Sequence, residues 1–177
     1  AKHAMHIWSY LKEHDNGVTN FHFEIAADLL TKEELEVMSD MRPGLIQLEI
    51  GVQSTNERTL KEINRYFDLG HLRETVATVN SFHNIHQHLD LIAGLPYEDY
   101  ESFKGSFNDV YAMRPEQLQL GFLKVLPGTQ MRRETEQHDL RYMDEPPYEI
   151  LSTKYMPYED MLYLKHLDNI LDQTANS

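Results

Sequence analysis

The feature that most limits how this chain can fold is a regular alternation of short strand-like and longer helical patterns. Strand-like patterns cover residues 21–25, 45–52, 86–93 and 117–126, and helical patterns cover 3–14, 71–82, 98–112 and the stretches after Thr31 and Ser54. Alternation at this spacing is typical of right-handed βαβ units, in which consecutive strands run parallel. We therefore predict an α/β fold built on a parallel sheet of about four strands.

Two of the helices are expected to begin at capping boxes. Thr31 with Glu34 and Ser54 with Glu57 have the required spacing, in which a hydroxyl and a carboxylate bond the first free amides of a helix. A third helix is expected to begin in the acidic run from Glu98 to Glu101, which we interpret as a solvated first turn favoured by the helix dipole.

The alternation stops near residue 130. Residues 131–147 are polar and irregular, and a helix is expected around residues 158–172, where leucines recur on one face. We predict that residues 1–130 form part of a barrel and that residues 131–177 form a C-terminal helical extension covering one end or edge of the sheet.

The amino-acid composition indicates which classes of binding partner this chain is expected to have. The chain has 29 acidic and 16 basic residues and a net charge of −13, which disfavours direct binding to the phosphate backbone of nucleic acid. No apolar run reaches the ~20 residues that a membrane helix needs, so we expect no membrane partner and a cytoplasmic location. The chain has no cysteine, which excludes disulfides and cysteine-held clusters within these residues.

The predicted strands carry polar side chains on one face. Residues two apart on a strand share a face, and the polar set comprises His22, Glu24, Gln47, Glu49, Gln53, His86, His88 and Asp90. Ionisable groups are costly to bury unless paired, so this face is expected to meet ligand or water. A partial parallel (βα) barrel with a polar lumen and outer helices fits the pattern, and an open sheet with one solvated face is the alternative.

Two strand ends carry a family likeness. The stretches Glu49-Ile50-Gly51-Val52-Gln53-Ser54 and Asp90-Leu91-Ile92-Ala93-Gly94-Leu95-Pro96 resemble those of the radical S-adenosylmethionine superfamily, with spacing close to oxygen-independent coproporphyrinogen III oxidases. The resemblance covers roughly residues 1–130 and implies strands three to six of a partial (βα)6 barrel. It also implies a parent enzyme, an Fe–S oxidoreductase that cleaves S-adenosylmethionine at a 4Fe–4S cluster to form a 5′-deoxyadenosyl radical.

The same resemblance implies a set of residues that contact S-adenosylmethionine. The matching positions are Glu24, Gln53, Arg65, Asp90, Gly94 and Lys124. Arg65 would pair with a ligand carboxylate, whereas Asp90 and Gln53 would hydrogen bond the ligand. Gly94 would allow close approach of the backbone, and Lys124 would make its contact through the backbone.

The chain also departs from the family pattern. The three-cysteine cluster loop is absent, so we expect this chain to be the later part of a longer protein and to be catalytically inert alone. Glu49 stands where the coproporphyrinogen branch usually has a small hydroxyl residue, which argues against porphyrin chemistry. Phe21-His22-Phe23-Glu24 and the tail Pro147-Tyr148-Glu149 resemble a subgroup with a cobalamin-binding domain, so cobalamin is a further expected cofactor of the parent.

Two other functions stay open at this stage. The chain could be a cluster-free barrel remnant that acts as a small-molecule binding or interaction module, or a different (βα) enzyme with Glu49 and Asp90 as acid and base. The small-molecule substrate cannot be identified from the residues. An exposed sheet edge is expected to favour self-association. His83, His86 and His88 lack the arrangement of a metal site, so no metal ligand is predicted.

Overall fold

The computed structural model describes residues 2–26 and 29–175, and it contains the predicted alternation of strands and helices. The helices are Lys2–Glu13 (α1), Lys32–Ser39 (α2), Glu57–Glu62 (α3), Leu69–Phe82 (α4), Tyr100–Tyr111 (α5), Gln130–Arg133 (α6) and Tyr158–Ala175 (α7). The strands are Phe21–Ile25 (β1), Ile46–Gln53 (β2), His86–Ala93 (β3), Gln117–Phe122 (β4), Arg141–Tyr142 (β5) and Ile150–Ser152 (β6).

Strands β1 to β4 form one parallel sheet in sequential order, which confirms the predicted α/β class. In the β1–β2 pair, Phe21 lies opposite Ile46 and Glu24 lies opposite Glu49. Short β5 and β6 form a separate antiparallel pair, in which β5 lies inside the stretch 131–147 that was predicted to be irregular and β6 follows it. The predicted terminal helix is present as α7.

The backbone divides into two compact units. The first unit comprises Ala1–Val52, Phe67–Leu89 and Val110–Leu118, and the second comprises Gln53–Tyr66, Asp90–Asp109 and Gln119–Ser177. The proposed division at residue 130 stays a prediction.

The first unit has a continuous apolar core beneath α1, α2 and α4. Trp8 of α1 packs edge-on against Phe23 of β1, with ring centroids 4.8 Å apart. Met38, Leu45 and Val79 are fully or almost fully buried in the same cluster. The periodic apolar positions of the helices and the inward residues of the strands therefore meet in one core, as their spacing predicts.

Two buried amides in the first unit fix elements to one another. The side-chain nitrogen of Asn84 donates to the carbonyl oxygens of Met38 at 2.9 Å and Met41 at 3.0 Å, and so satisfies carbonyls at the end of α2. Gln87 of β3 is 0% exposed, and its amide donates to the carbonyl of Val76 and to Asn80 Oδ1 on α4. The Gln87 bonds join β3 to α4, and the Asn84 bonds join the segment before β3 to the end of α2 and the residues that follow it.

The second unit is closed by tight packing around Gly94. This residue follows β3 with φ +92°, and a Cβ placed there would lie 2.7 Å from Ile150 Cγ2 of β6 and 3.0 Å from Met161 Cε of α7. Glycine is required both by the backbone conformation and by the lack of space. The C-terminal helix thus packs against the loop that follows β3.

Candidate functional site

The polar face predicted for the strands exists in the first unit. Along β2 the side chains alternate between buried and half-buried from Ile46 to Gln53. His22 Nε2 lies 2.7 Å from Glu49 Oε2, and Gln47 Nε2 lies 3.2 Å from His88 Nε2. Strands β1, β2 and β3 therefore contribute to one polar cluster rather than to separate exposed residues.

His88 is held toward its neutral form in this cluster. Burial lowers the pKa of His88 below its ordinary value, and the neighbouring imidazoles of His86 and His22 lower it further. The ring centroids of His86 and His88 lie 4.7 Å apart. A neutral imidazole beside the His22–Glu49 pair offers both a donor and an acceptor to a polar ligand.

The six predicted ligand-contacting residues divide between the units. Glu24 belongs to the first unit, where it is exposed on β1 opposite Glu49. The other five, Gln53, Arg65, Asp90, Gly94 and Lys124, belong to the second unit.

Within the second unit, Gln53 is the last residue of β2 and Asp90 lies on β3, and both are half-buried. Gln53 has a left-handed backbone with φ 68°, which is unusual for a residue with a side chain. Strain of this kind concentrates at functional positions, since the surrounding structure must hold it. Arg65 is half-buried just after α3, and its amide donates to the carbonyl of Leu60 at 2.8 Å.

Gly94 and Lys124 lie on neighbouring backbone segments. The amide of Leu123 donates to the carbonyl of Ala93 at 2.9 Å, so the chain beyond β4 runs beside the end of β3. Strand β4 ends at Phe122, earlier than the predicted residue 126, because Lys124 pairs instead in an antiparallel bridge with Glu149. Lys124 therefore lies just beyond β4, and its predicted contact with the ligand stays a prediction.

The loop after β2 corrects one prediction. Ser54 does not cap α3, because its hydroxyl donates to Glu98 Oε1 at 2.7 Å. The N-cap is Asn56, whose Oδ1 accepts from the amides of Arg58 and Thr59. The Asn56 side-chain nitrogen also donates to the carbonyl of Tyr97 at 3.1 Å. The loops that follow β2 and β3 are thus joined directly.

Glu98 corrects a second prediction, since it is fully buried rather than part of a solvated helix start. Its Oε1 accepts from Ser54 and, at 3.3 Å, from the hydroxyl of Ser106 on α5. Burial raises the pKa of Glu98 to about 7, against the lowering effect of the two hydroxyls. The carboxyl group therefore bonds the loop that directly follows Gln53 at the end of β2.

Sequence reasoning did not identify a third group, which lies in the second unit. Glu62 at the end of α3, Glu134 after α6 and fully buried His138 bring their ligand atoms within 4.8 Å of one another. Glu134 and His138 are four residues apart, a spacing that can bring two side chains together on one helical turn. Glu62 is distant along the sequence, so its proximity to them could not be predicted.

Comparisons with known protein families and curated proteins give three sequence matches. A family described as "Protein of unknown function (DUF4080)" matches residues 136–177. The oxygen-independent coproporphyrinogen-III oxidase-like protein HemZ of Bacillus subtilis is 28% identical over 162 residues, which cover 84% of this chain and 30% of HemZ. The uncharacterized protein YtqA of the same species is 29% identical over 122 residues, or 68% of this chain and 38% of YtqA.

Solved structures show the same fold. Coproporphyrinogen III oxidase HemN of Escherichia coli, a radical SAM enzyme, matches with a TM-score of 0.65 and 19% identity over 90% of this chain and 34% of HemN. The radical S-adenosylmethionine methyltransferase TsrM of Kitasatospora setae, with tryptophan and a SAM analogue bound, matches with a TM-score of 0.66 and 14% identity over 85% of this chain and 32% of TsrM.

This chain resembles the radical S-adenosylmethionine superfamily. Its four parallel strands and their helices match part of the barrel of these enzymes, which confirms the predicted partial barrel. The chain spans 30% and 38% of the length of the two curated relatives. Within residues 2–26 and 29–175, no helix combines the length and apolar character needed to cross a bilayer.

Proposed function

We propose that this chain forms part of a radical S-adenosylmethionine enzyme and helps to position S-adenosylmethionine at the ends of its parallel strands. The observation that carries the proposal is the match to part of the HemN barrel, together with polar residues on β2 and β3. Ligands of barrels bind at the carboxyl ends of the strands. Gln53 is the last residue of β2 and Gly94 directly follows β3, whereas Asp90 lies in the second half of β3.

The chemistry of these residues fits the ligand. S-adenosylmethionine carries a carboxylate, an ammonium group and ribose hydroxyls. A guanidinium such as Arg65 binds a carboxylate through two parallel hydrogen bonds, and a carboxylate such as Asp90 accepts from ammonium or hydroxyl groups. Gly94 presents backbone without a side chain, since φ +92° and the nearby Ile150 leave room for hydrogen alone.

The chain's own residues do not fit a 4Fe–4S cluster, because none of them is a cysteine. Cluster thiolates would come from elsewhere in a longer protein, and the chain by itself should be inert. Bound S-adenosylmethionine supplies the hydrogen-abstracting chemistry of the superfamily; the residues described here bind and orient it. A cobalamin-dependent parent is part of the proposal, supported by a TsrM structure that contains cobalamin and a [4Fe-4S] cluster.

Calorimetric titration with S-adenosylmethionine tests the proposal. Arg65→Ala should weaken binding by roughly 2–5 kcal/mol, the cost of removing one partner from a buried charge pair. Arg133→Ala is the matched control, because Arg133 is an exposed arginine of the same unit. Equal affinity of the Arg65→Ala variant and the unmodified chain would remove Arg65 from the site, and loss of binding in the control would show that the effect is not specific.

A further inference from the structure

The second unit contains a cluster of three ligand-type side chains that the proposed function does not use. His138 Nε2 lies 3.3 Å from Glu62 Oε1 and 3.9 Å from Glu134 Oε2. The His138 side chain is fully buried, and the side chains of Glu62 and Glu134 are 25% and 22% exposed. One imidazole nitrogen and two carboxylate oxygens thus lie close enough together to bind one ion.

Two of these three atoms lack the hydrogen bonds that buried polar atoms require. Among the described residues, neither His138 Nε2 nor Glu134 Oε2 has a hydrogen-bond partner, although both atoms are buried. A buried polar atom without a partner costs about 1–3 kcal/mol. This cost disappears when a bound cation receives both lone pairs.

The other atoms of these side chains are already used, and their bonds orient the unpartnered ones. His138 Nδ1 lies 3.0 Å from the hydroxyl of Tyr155. In the tautomer that a metal site requires, Nδ1–H of His138 donates to this hydroxyl, and the Nε2 lone pair is directed at the carboxylates.

Glu134 is oriented in the same way. Gln130 Nε2 donates to Glu134 Oε1 at 2.7 Å, so Oε2 is the oxygen that remains for the cluster. Metal-binding imidazoles and carboxylates are commonly held by such outer hydrogen bonds. The backbone adds rigidity, because the amide of His138 donates to the carbonyl of Glu134 at 3.2 Å.

We propose that Glu62, Glu134 and His138 form a binding site for a divalent transition-metal ion, and that zinc is the ion the site fits best. Ligand atoms around tetrahedral zinc lie about 3.4 Å apart when the bonds are about 2.1 Å long. The distances of 3.3 Å and 3.9 Å from Nε2 need little adjustment to reach this arrangement. Two carboxylates also balance the charge of the ion.

The site keeps a position for an exogenous ligand. Three protein ligands leave the fourth position of tetrahedral zinc open to water or substrate. Glu62 also lines a solvent-open cavity of about 460 Å³, together with Arg58, Lys61 and Tyr97. The guanidinium of Arg58 lies 3.8 Å from the centre of the Tyr97 ring. An anionic group could therefore reach the metal from a cavity whose wall carries positive charge.

The experiment is calorimetric titration of the 177-residue chain with Zn²⁺, with Co²⁺ absorption as a spectroscopic reporter of the ligand geometry. His3→Ala and His6→Ala are introduced throughout, so that Zn²⁺ association with these two exposed histidines does not add to the measured heat. We expect one bound equivalent of Zn²⁺. Glu62→Gln and His138→Gln should each weaken binding by more than about 100-fold, beyond the loss typical for outer ligands.

Three further variants make the result specific. Tyr155→Phe should weaken Zn²⁺ binding by about 10–100-fold, because it removes a bond that orients His138. Exposed Glu136→Gln should not change the affinity, and His86→Gln should not change it either, since His86 belongs to the polar cluster of the first unit. Circular dichroism checks that each variant is folded. Because the Glu62 side chain is partly exposed, Glu62→Gln should fold and keeps the test valid if His138→Gln does not fold.

The proposal is overturned if the chain binds no Zn²⁺. It is also overturned if Glu62→Gln binds as tightly as the unmodified chain, or if binding is lost in His86→Gln. S-adenosylmethionine binding is measured separately and does not depend on these residues, so failure of one proposal leaves the other intact.

Discussion

The buried carboxyl group of Glu98 makes the stability of this chain depend on pH in a way that one substitution should remove. Glu98 is 0% exposed, and among the described residues no hydrogen-bond partner reaches its Oε2. Burial raises its pKa from 4.5 to about 7. The folded state therefore holds a proton on Glu98 at pH values where the unfolded chain has released it.

The size and sign of the effect follow from this difference in pKa. Each unit of pKa corresponds to about 1.4 kcal/mol, so the difference amounts to roughly 3 kcal/mol. Because the folded pKa is the higher one, this contribution is fully present below pH 4.5 and is lost as the pH rises through about 7. Glu98→Gln mimics the protonated group at every pH and should lack the dependence.

The assay is urea unfolding followed by circular dichroism at pH 5, 6, 7 and 8, with the unfolding free energy extrapolated to water. The stability of Glu98→Gln relative to the unmodified chain should rise by roughly 3 kcal/mol from pH 5 to pH 8. The comparison is made between variants, since His88 has a lowered pKa and contributes the opposite dependence. Glu101→Gln, three residues further along the chain but 76% exposed, is the control. A relative stability that stays constant over this range would refute the reasoning.

Two further substitutions test the packing described above by urea unfolding at one pH. Gly94→Ala should lower the unfolding free energy by about 2–4 kcal/mol, because the alanine must adopt φ +92° and its Cβ would lie 2.7 Å from Ile150 Cγ2. A loss under about 0.5 kcal/mol would show that the loop shifts without cost. Asn84→Ala should cost about 1–3 kcal/mol, since the carbonyls of Met38 and Met41 lose a buried donor; an unchanged free energy would mean that water replaces the amide.

The sequence predicted the elements well where the determining contacts are local or periodic. Strands β1 and β3 have their predicted bounds, and Thr31 with Glu34 forms the expected capping box. The errors arise where a distant residue competes for the same group. The Ser54 hydroxyl bonds Glu98 instead of the start of α3, and that choice depends on how two loops meet in space.

The candidate sites divide in the same way. Strand alternation predicted Gln53 and Asp90 on the polar face of the sheet, and both are half-buried in the structure. Their role as ligand contacts stays a prediction. The cluster of Glu62, Glu134 and His138 was missed because it joins an α3 residue to the tail. A pattern read along the chain does not report such a meeting of distant segments.

The buried amide of Gln87 has a consequence for how uniquely the first unit folds. If α4 shifted along β3 by one turn, the bonds of Gln87 to Val76 and Asn80 would break, and polar groups would be left unsatisfied in an apolar layer. A leucine at this position would add apolar contact, but it would allow α4 to pack at several positions along β3 with almost equal free energy. Gln87 therefore specifies a single position of α4 along β3, although a buried amide contributes less to the free energy of folding than an apolar side chain would.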